Sequence, residues 1–119
     1  MLYNSVEHTL KLQPKYFDYI AHGTKRIELR LNDAKRQQIQ PGDTIRFCRL
    51  PNEHPTLTVR VVELLHYPSF ADLCADFNID VLADRTMTKA ELLADLSTFY
   101  AAADQTRYGV VGIRIELLS

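Results

Sequence analysis

The stretch that decides the reading is AHGTKRIELRL, Ala21 to Leu31. It opens as the end of a helix, stops on Gly23 and continues as a strand. Ile27, Leu29 and Leu31 alternate with Arg26, Glu28 and Arg30, the period of a strand with two unlike faces. One face is therefore charged. That face is either solvated at a sheet edge or the floor of a polar site, and the two readings imply different proteins. Lys25 sharpens the question, because strict alternation places it with Ile27 and Leu29, where a free ammonium is costly. Either the strand begins after Lys25, or a bulge re-aims it, or a partner in a cleft holds its charge.

Upstream, His8–Leu12 (HTLKL) alternates as a short strand, and QPKYFDYIAHG follows as a helix. Pro14 suits its first turn, Gly23 its left-handed stop, and Phe17, Ile20 and Ala21 give it a buried stripe. Downstream, NDAKRQQIQPGD is a polar loop ending in the turn signal Pro41-Gly42-Asp43. TIRFCRL and TLTVRVVELL are the next strands, separated by a proline-bounded turn, PNEHP. Ser69 with Asp72, and Thr88 with Glu91, have the spacing of helix-capping boxes. The first predicts a short helix through Phe70, Leu73 and Phe77. The second predicts a helix carrying Leu92, Leu93, Leu96, Phe99 and Tyr100. NIDVLADRT is expected as a loop and ADQTR as a helix break. YGVVGIRIELL closes the chain as a strand, with Val111, Ile113, Ile115 and Leu117 on one face. The order β-α-β-β-β-α-α-β predicts an α+β domain: a curled, mostly antiparallel sheet or small barrel with helices outside.

The chain has 119 residues, the length of one domain, and is 46% hydrophobic and 24% charged, as a globular protein is. Its formal net charge of −1 gives no global case for nucleic acid or an anionic membrane. The charge is uneven, however. Lys11, Lys15, Lys25, Arg26, Arg30, Lys35 and Arg36 outnumber Asp18, Glu28 and Asp33 in the first third, while acids dominate from Val61 to Asp104. A local basic patch is compatible with the neutral total. No apolar run approaches the ~20 residues of a membrane span, and MLYNSVEHTLKL has no leader pattern. Cys48 and Cys74 have no motif spacing, which fits a reduced, cytoplasmic setting.

The four histidines lie far apart and neither cysteine has a partner in sequence, so no metal site is expected. No nucleophile elbow, P-loop or dinucleotide fingerprint is present, and no motif asks for a cofactor. What remains is Gly23-Thr24-Lys25-Arg26-Ile27-Glu28-Leu29-Arg30. There a glycine turns the backbone, and lysine, glutamate and arginine then emerge from a stiff strand. A Lys beside a Glu is an ion pair or, when partly buried, a tuned acid–base pair. An Arg holds a phosphate or carboxylate in two places at once.

The run HTLKLQPKYFDYIAHGTKRIELRLNDAKRQQIQPGDTIRF resembles the ASCH family, a branch of the PUA-like superfamily. Its hallmark G-x-K-x-x-E-x-R matches Gly23, Lys25, Glu28 and Arg30 in full. Pro68–Leu73 and Tyr108–Ile115 match later family segments, so the resemblance covers nearly the whole chain. It implies a small β-barrel with the hallmark residues lining a cleft. It also implies two kinds of function. Many members are inferred to bind RNA. Certain small members are amidohydrolases that deacylate N4-acetylcytidine with a Lys, a Thr and a Glu. The Lys maps to Lys25, and the Glu, in an M-T-x-x-E-L pattern, maps to Glu91. The Thr position is Glu28 here, where a carboxylate would have to activate water as a general base with Lys25 stabilising the oxyanion. Thr24 precedes Lys25 and does not take the nucleophile's place.

The leading expectation is a module that binds RNA or a modified nucleoside. Lys25 and Arg30 would hold phosphate or base oxygens, and Glu28 would accept from an exocyclic amine. Gly23, Thr24 and Arg26 would border the site, Tyr100 and Tyr108 would stack on a base, and Arg107 would add an anion contact. The alternative is an amidohydrolase using Lys25, Glu28 and Glu91, although capping alone accounts for Glu91. A third option is a protein-interaction domain whose cleft is unused.

Overall fold

The computed structural model describes residues 4–118. Residues 1–3, which open the stretch without a leader pattern, and residue 119 lie outside them. Strand β1 (Glu7–Leu12) buries Leu10 and Leu12 and leads into helix α1 (Pro14–Ala21). Pro14 sits in the first turn, where a missing N–H costs nothing. The helix buries Tyr16, Phe17 and Ile20 and stops at Gly23, whose φ of +83° lies in the left-handed region open to glycine. Strand β2 (Ile27–Leu31) follows, then a 3-10 turn at Arg36–Gln38 inside the expected loop. Strands β3 (Thr44–Arg49) and β4 (Thr56–Tyr67) form the central hairpin. Helices α2 (Phe70–Ala75), α3 (Ile79–Leu82), α4 (Lys89–Phe99) and α5 (Ala102–Tyr108) precede the last strand, β5 (Val110–Leu117).

The five strands form one mixed sheet in the order β1-β3-β4-β5-β2. β1 runs parallel to β3, with Leu10 opposite Phe47; the other three pairings are antiparallel. A register shift between Val61 and Glu63 in β4 adds local twist. The sheet curls into an open half-barrel. Its edge strands β1 and β2 meet where the Arg30 Nη2 donates to the Lys11 carbonyl across the gap, at 2.7 Å. The curled, mostly antiparallel α+β architecture expected from the sequence is what the chain forms.

The core fills the inside of the curl with Ile27, Ile45, Phe47, Val59, Val61 and Ile113, and with Phe70, Leu73, Leu82, Leu92 and Leu96 from the helices. Gly112 shows how closely they pack. A Cβ there would stand 3.0 Å from Leu73 Cδ1 and 3.1 Å from Ile27 Cγ2, so α2 docks on the sheet through a missing side chain.

Both expected capping boxes set helix starts. Ser69 accepts from the Asp72 N–H, and Thr88 and Glu91 cap α4 reciprocally. Two expectations are corrected. The NIDVL stretch is not all loop: it forms α3 because Leu82 is pulled fully into the core while Ile79 and Val81 pack at its edge. Nor does ADQTR end helical structure. It lies in α5, a helix with no buried residue that ends on Gly109 at φ +70° and so shows no apolar period. Truncation of the fully buried Phe47 to Ala is expected to cost about 3–5 kcal/mol. Urea unfolding measures this, with an unchanged slope.

Candidate functional site

The charged face of β2 is buried, not solvated. Glu28 is 4% and Arg30 8% exposed, and Lys25, just before the strand, is 3% exposed. Of the three routes open to Lys25, the first and third are taken together: the strand begins after it, and Glu28 in the cleft holds its charge. The strand begins at Ile27, and Lys25 lies in the turn after α1, with its backbone N–H donating to the Tyr19 carbonyl. Freed from alternation, its side chain reaches the same space as Glu28.

The Lys25 Nζ donates to the carbonyls of Ile27 (2.6 Å) and Leu82 (2.7 Å) and lies 3.4 Å from Glu28 Oε1. Those three acceptors match the three protons of an ammonium. Arg30 Nε donates to Glu28 Oε2 at 2.7 Å, while its Nη2 spans the seam to Lys11. The Glu28 carboxylate is thus gripped on one oxygen by each cation. Burial works to raise its pKa, but Arg30 and Lys25 outweigh that and hold it below the ordinary carboxylate value. Burial lowers the Lys25 pKa, with Glu28 opposing it in part. For Arg30, burial is overcome by Glu28, which keeps the guanidinium firmly charged.

Around this floor stands an apolar wall. A cleft of about 150 Å³ opens in the seam, lined by Lys11, Leu12 and Gln13 from β1 and its end, Tyr16 from α1, and Lys25, Glu28, Leu29 and Arg30 from around β2. Leu50 completes the β3 side, and Leu92, Leu96, Phe99 and Tyr100 come from α4 and its cap. It is small beside the ~300–1,000 Å³ of ordinary ligand clefts, a size that suits one flat ring. The wall is braced at Asp95 of α4, which accepts from Tyr16 of α1 and from Lys15 Nζ at 2.8 Å. Those two donors, Lys15 first, hold the Asp95 carboxyl below its usual range. The Tyr16 ring sits under Lys25, whose Nζ is 5.6 Å from the ring centre.

The structure therefore brings together Lys25, Glu28, Arg30 and Tyr100 of the residues singled out from the sequence. It does not bring the others to the cleft. Glu91 is exposed and occupied by its cap, accepting from the Thr88 N–H at 3.0 Å. Gly23 and Arg26 border two other hollows, one beside β5 that Lys25 also lines and one beside α3 that Thr24 also lines, and the Thr24 hydroxyl donates to the Tyr19 carbonyl. Arg107 lies over the Tyr108 ring, 4.9 Å from its centre, and neither lines the cleft. Sequence reasoning missed Tyr16 and Leu50 and placed Phe99 only on the helix after Thr88, without a role in the site. Tyr16 had a signal in principle, since it is one helical turn before Ile20. Among the described residues no cluster of three or more His, Cys, Asp or Glu could hold a metal, and no helix is long and apolar enough to cross a membrane.

A curled mixed half-barrel with a buried Lys-Glu-Arg seam defines a class, and comparison with known proteins gives the family. The family model described as "ASCH domain" matches residues 10–119, and the chain belongs to that family. Two solved structures resemble it over their whole length. The crystal structure of hypothetical protein PH0355 has 34% identity and a TM-score of 0.84, covering 95% of this chain and 100% of that one. The solution structure of protein PF0455 from Pyrococcus furiosus has 32% identity and a TM-score of 0.76, covering 96% and 99%. No curated protein matches the chain.

Glu28→Gln leaves two buried cations without their anion. It is expected to cost about 3–5 kcal/mol at neutral pH. Because the folded-state pKa of Glu28 lies below its ordinary 4.5, its stabilisation is complete above that value and disappears as pH falls through the lower folded pKa. The acid limb of the stability curve should therefore be flatter in Glu28→Gln, as urea midpoints taken from neutral pH down to acid pH would show.

Proposed function

We propose that the chain binds RNA, or a modified nucleoside, by taking one unpaired base into the seam cleft. The observation behind this reading is the cleft's two-part chemistry. Its walls are apolar and aromatic, and its floor is a fixed array of a carboxylate and a guanidinium. A nucleobase has the same division, with an apolar face and an edge of donors and acceptors. Arg30 and Glu28 are held rigid by their own bonds, so they meet such an edge without first being ordered. Lys11 stands at the mouth, 60% exposed at the side chain and paired with the exposed Glu53 at 3.5 Å, a surface pair that a phosphate can displace.

The amidohydrolase reading has less behind it. Glu91 is exposed in its capping box, Glu28 occupies the expected threonine's place, and Arg30 and Lys25 hold the Glu28 pKa down, which weakens it as a general base but leaves it lone pairs to accept a hydrogen bond. The lowered pKa of Lys25 is the one observation in its favour.

Fluorescence anisotropy with labelled single-stranded RNA tests the binding reading. Affinity should fall as salt rises. Lys11→Ala should weaken binding uniformly and reduce the salt slope by about one. Arg30→Lys keeps a buried positive charge but loses the planar fork, and should weaken binding about tenfold or more while circular dichroism stays native. Tight binding indifferent to Arg30→Lys would refute this use of the cleft. Release of cytidine from N4-acetylcytidine by wild type would favour the hydrolase instead.

A further inference from the structure

Three aromatic rings line the cleft among the described residues: Tyr16, Phe99 and Tyr100. Two are already engaged. Tyr16 lies against the ammonium groups of Lys15 and Lys25, 5.1 Å and 5.6 Å from its ring centre, and its hydroxyl donates to Asp95. Tyr100 packs on Phe70, with ring centres 5.4 Å apart and planes tilted by 36°. Phe99 meets only the side of this pair, edge-on to Tyr100 at 6.4 Å and 72°. It is 49% exposed at the end of α4. A single exposed apolar residue is ordinary. What sets Phe99 apart is its place: Val6, Val62, Leu117 and Leu118, the other exposed large apolar residues, are aliphatic and lie outside the cleft lining.

Resting on the reading that the cleft takes a base, we propose that Phe99 is the platform on which that base stacks, its edge meeting Glu28 and Arg30. Every base has a π-face, so such a platform is tolerant of sequence and selects unpaired over paired strands. Tyr100 then serves as the support that sets the angle of the Phe99 ring, and Tyr108, outside the cleft, takes no part.

The chain contains no tryptophan, so Phe99→Trp places a lone indole at this position. The probes are labelled single-stranded oligo(A), oligo(U) and oligo(C) ribonucleotides and a matched RNA duplex. With half its surface in water, Phe99 is expendable to the fold, and Phe99→Ala should unfold near the wild-type midpoint. It should bind each single strand about tenfold more weakly. Phe99→Trp should bind like wild type, its emission quenched on addition of the single strands and little changed by the duplex. Val62→Ala, on the far strand, should bind as wild type does. Wild-type affinity in Phe99→Ala, with Arg30→Lys impaired, would overturn the platform and leave the cleft reading standing. A wild type that binds none of the probes would overturn both.

Discussion

The site depends on one carboxylate. Glu28 sits inside the open edge of a curled sheet with Lys25 on one oxygen and Arg30 on the other. A buried charge is tolerable only when paired and hydrogen-bonded, and here the pairing joins separate parts of the chain. Lys25 ties the turn after α1 to α3 through the Leu82 carbonyl, and Arg30 ties β2 to β1 through the Lys11 carbonyl. A closed barrel would join its edges by backbone bonds. This half-barrel joins them by a side chain, and the gap that remains is the cleft.

That construction explains why the site is both rigid and polar. Replacing buried ion pairs by apolar groups of similar volume is often neutral or stabilising. The charged seam therefore adds fixed donors and acceptors at the bottom of an apolar slot and little net stability over an apolar one. Helix α4 supplies the slot's wall and is braced to α1 at Asp95. Phe99 and Tyr100 stand at the end of that wall, where the helix stops and the chain turns into α5.

Much of this was legible in the sequence, and the failures have physical causes. The capping boxes, the Gly23 stop and the two-residue period of β2 are local signals and were read correctly, as was the curled α+β sheet. The period could not say that both faces of β2 are buried, because burial of Arg30 and Glu28 depends on α4 and β1 closing over them. The placement of Lys25 turned on where the strand begins, an element boundary that alternation alone does not fix. α5 was missed because a solvent-facing helix of polar residues has no apolar stripe to betray it. Glu91 illustrates a different limit: one residue suited both a cap and a catalyst, and its bonds in the structure are those of the cap.

The most direct test of the claim that this seam is a binding floor is a nuclear magnetic resonance titration with single-stranded RNA. The Arg30 side-chain Nε–H reports from the floor and the backbone amides of Leu96 to Tyr100 report from the wall. The account predicts that these signals shift together and saturate at one concentration. Shifts confined to other surfaces, with the Arg30 signal unmoved at saturation, would contradict it and leave Lys25, Glu28 and Arg30 as a device that only holds the sheet closed.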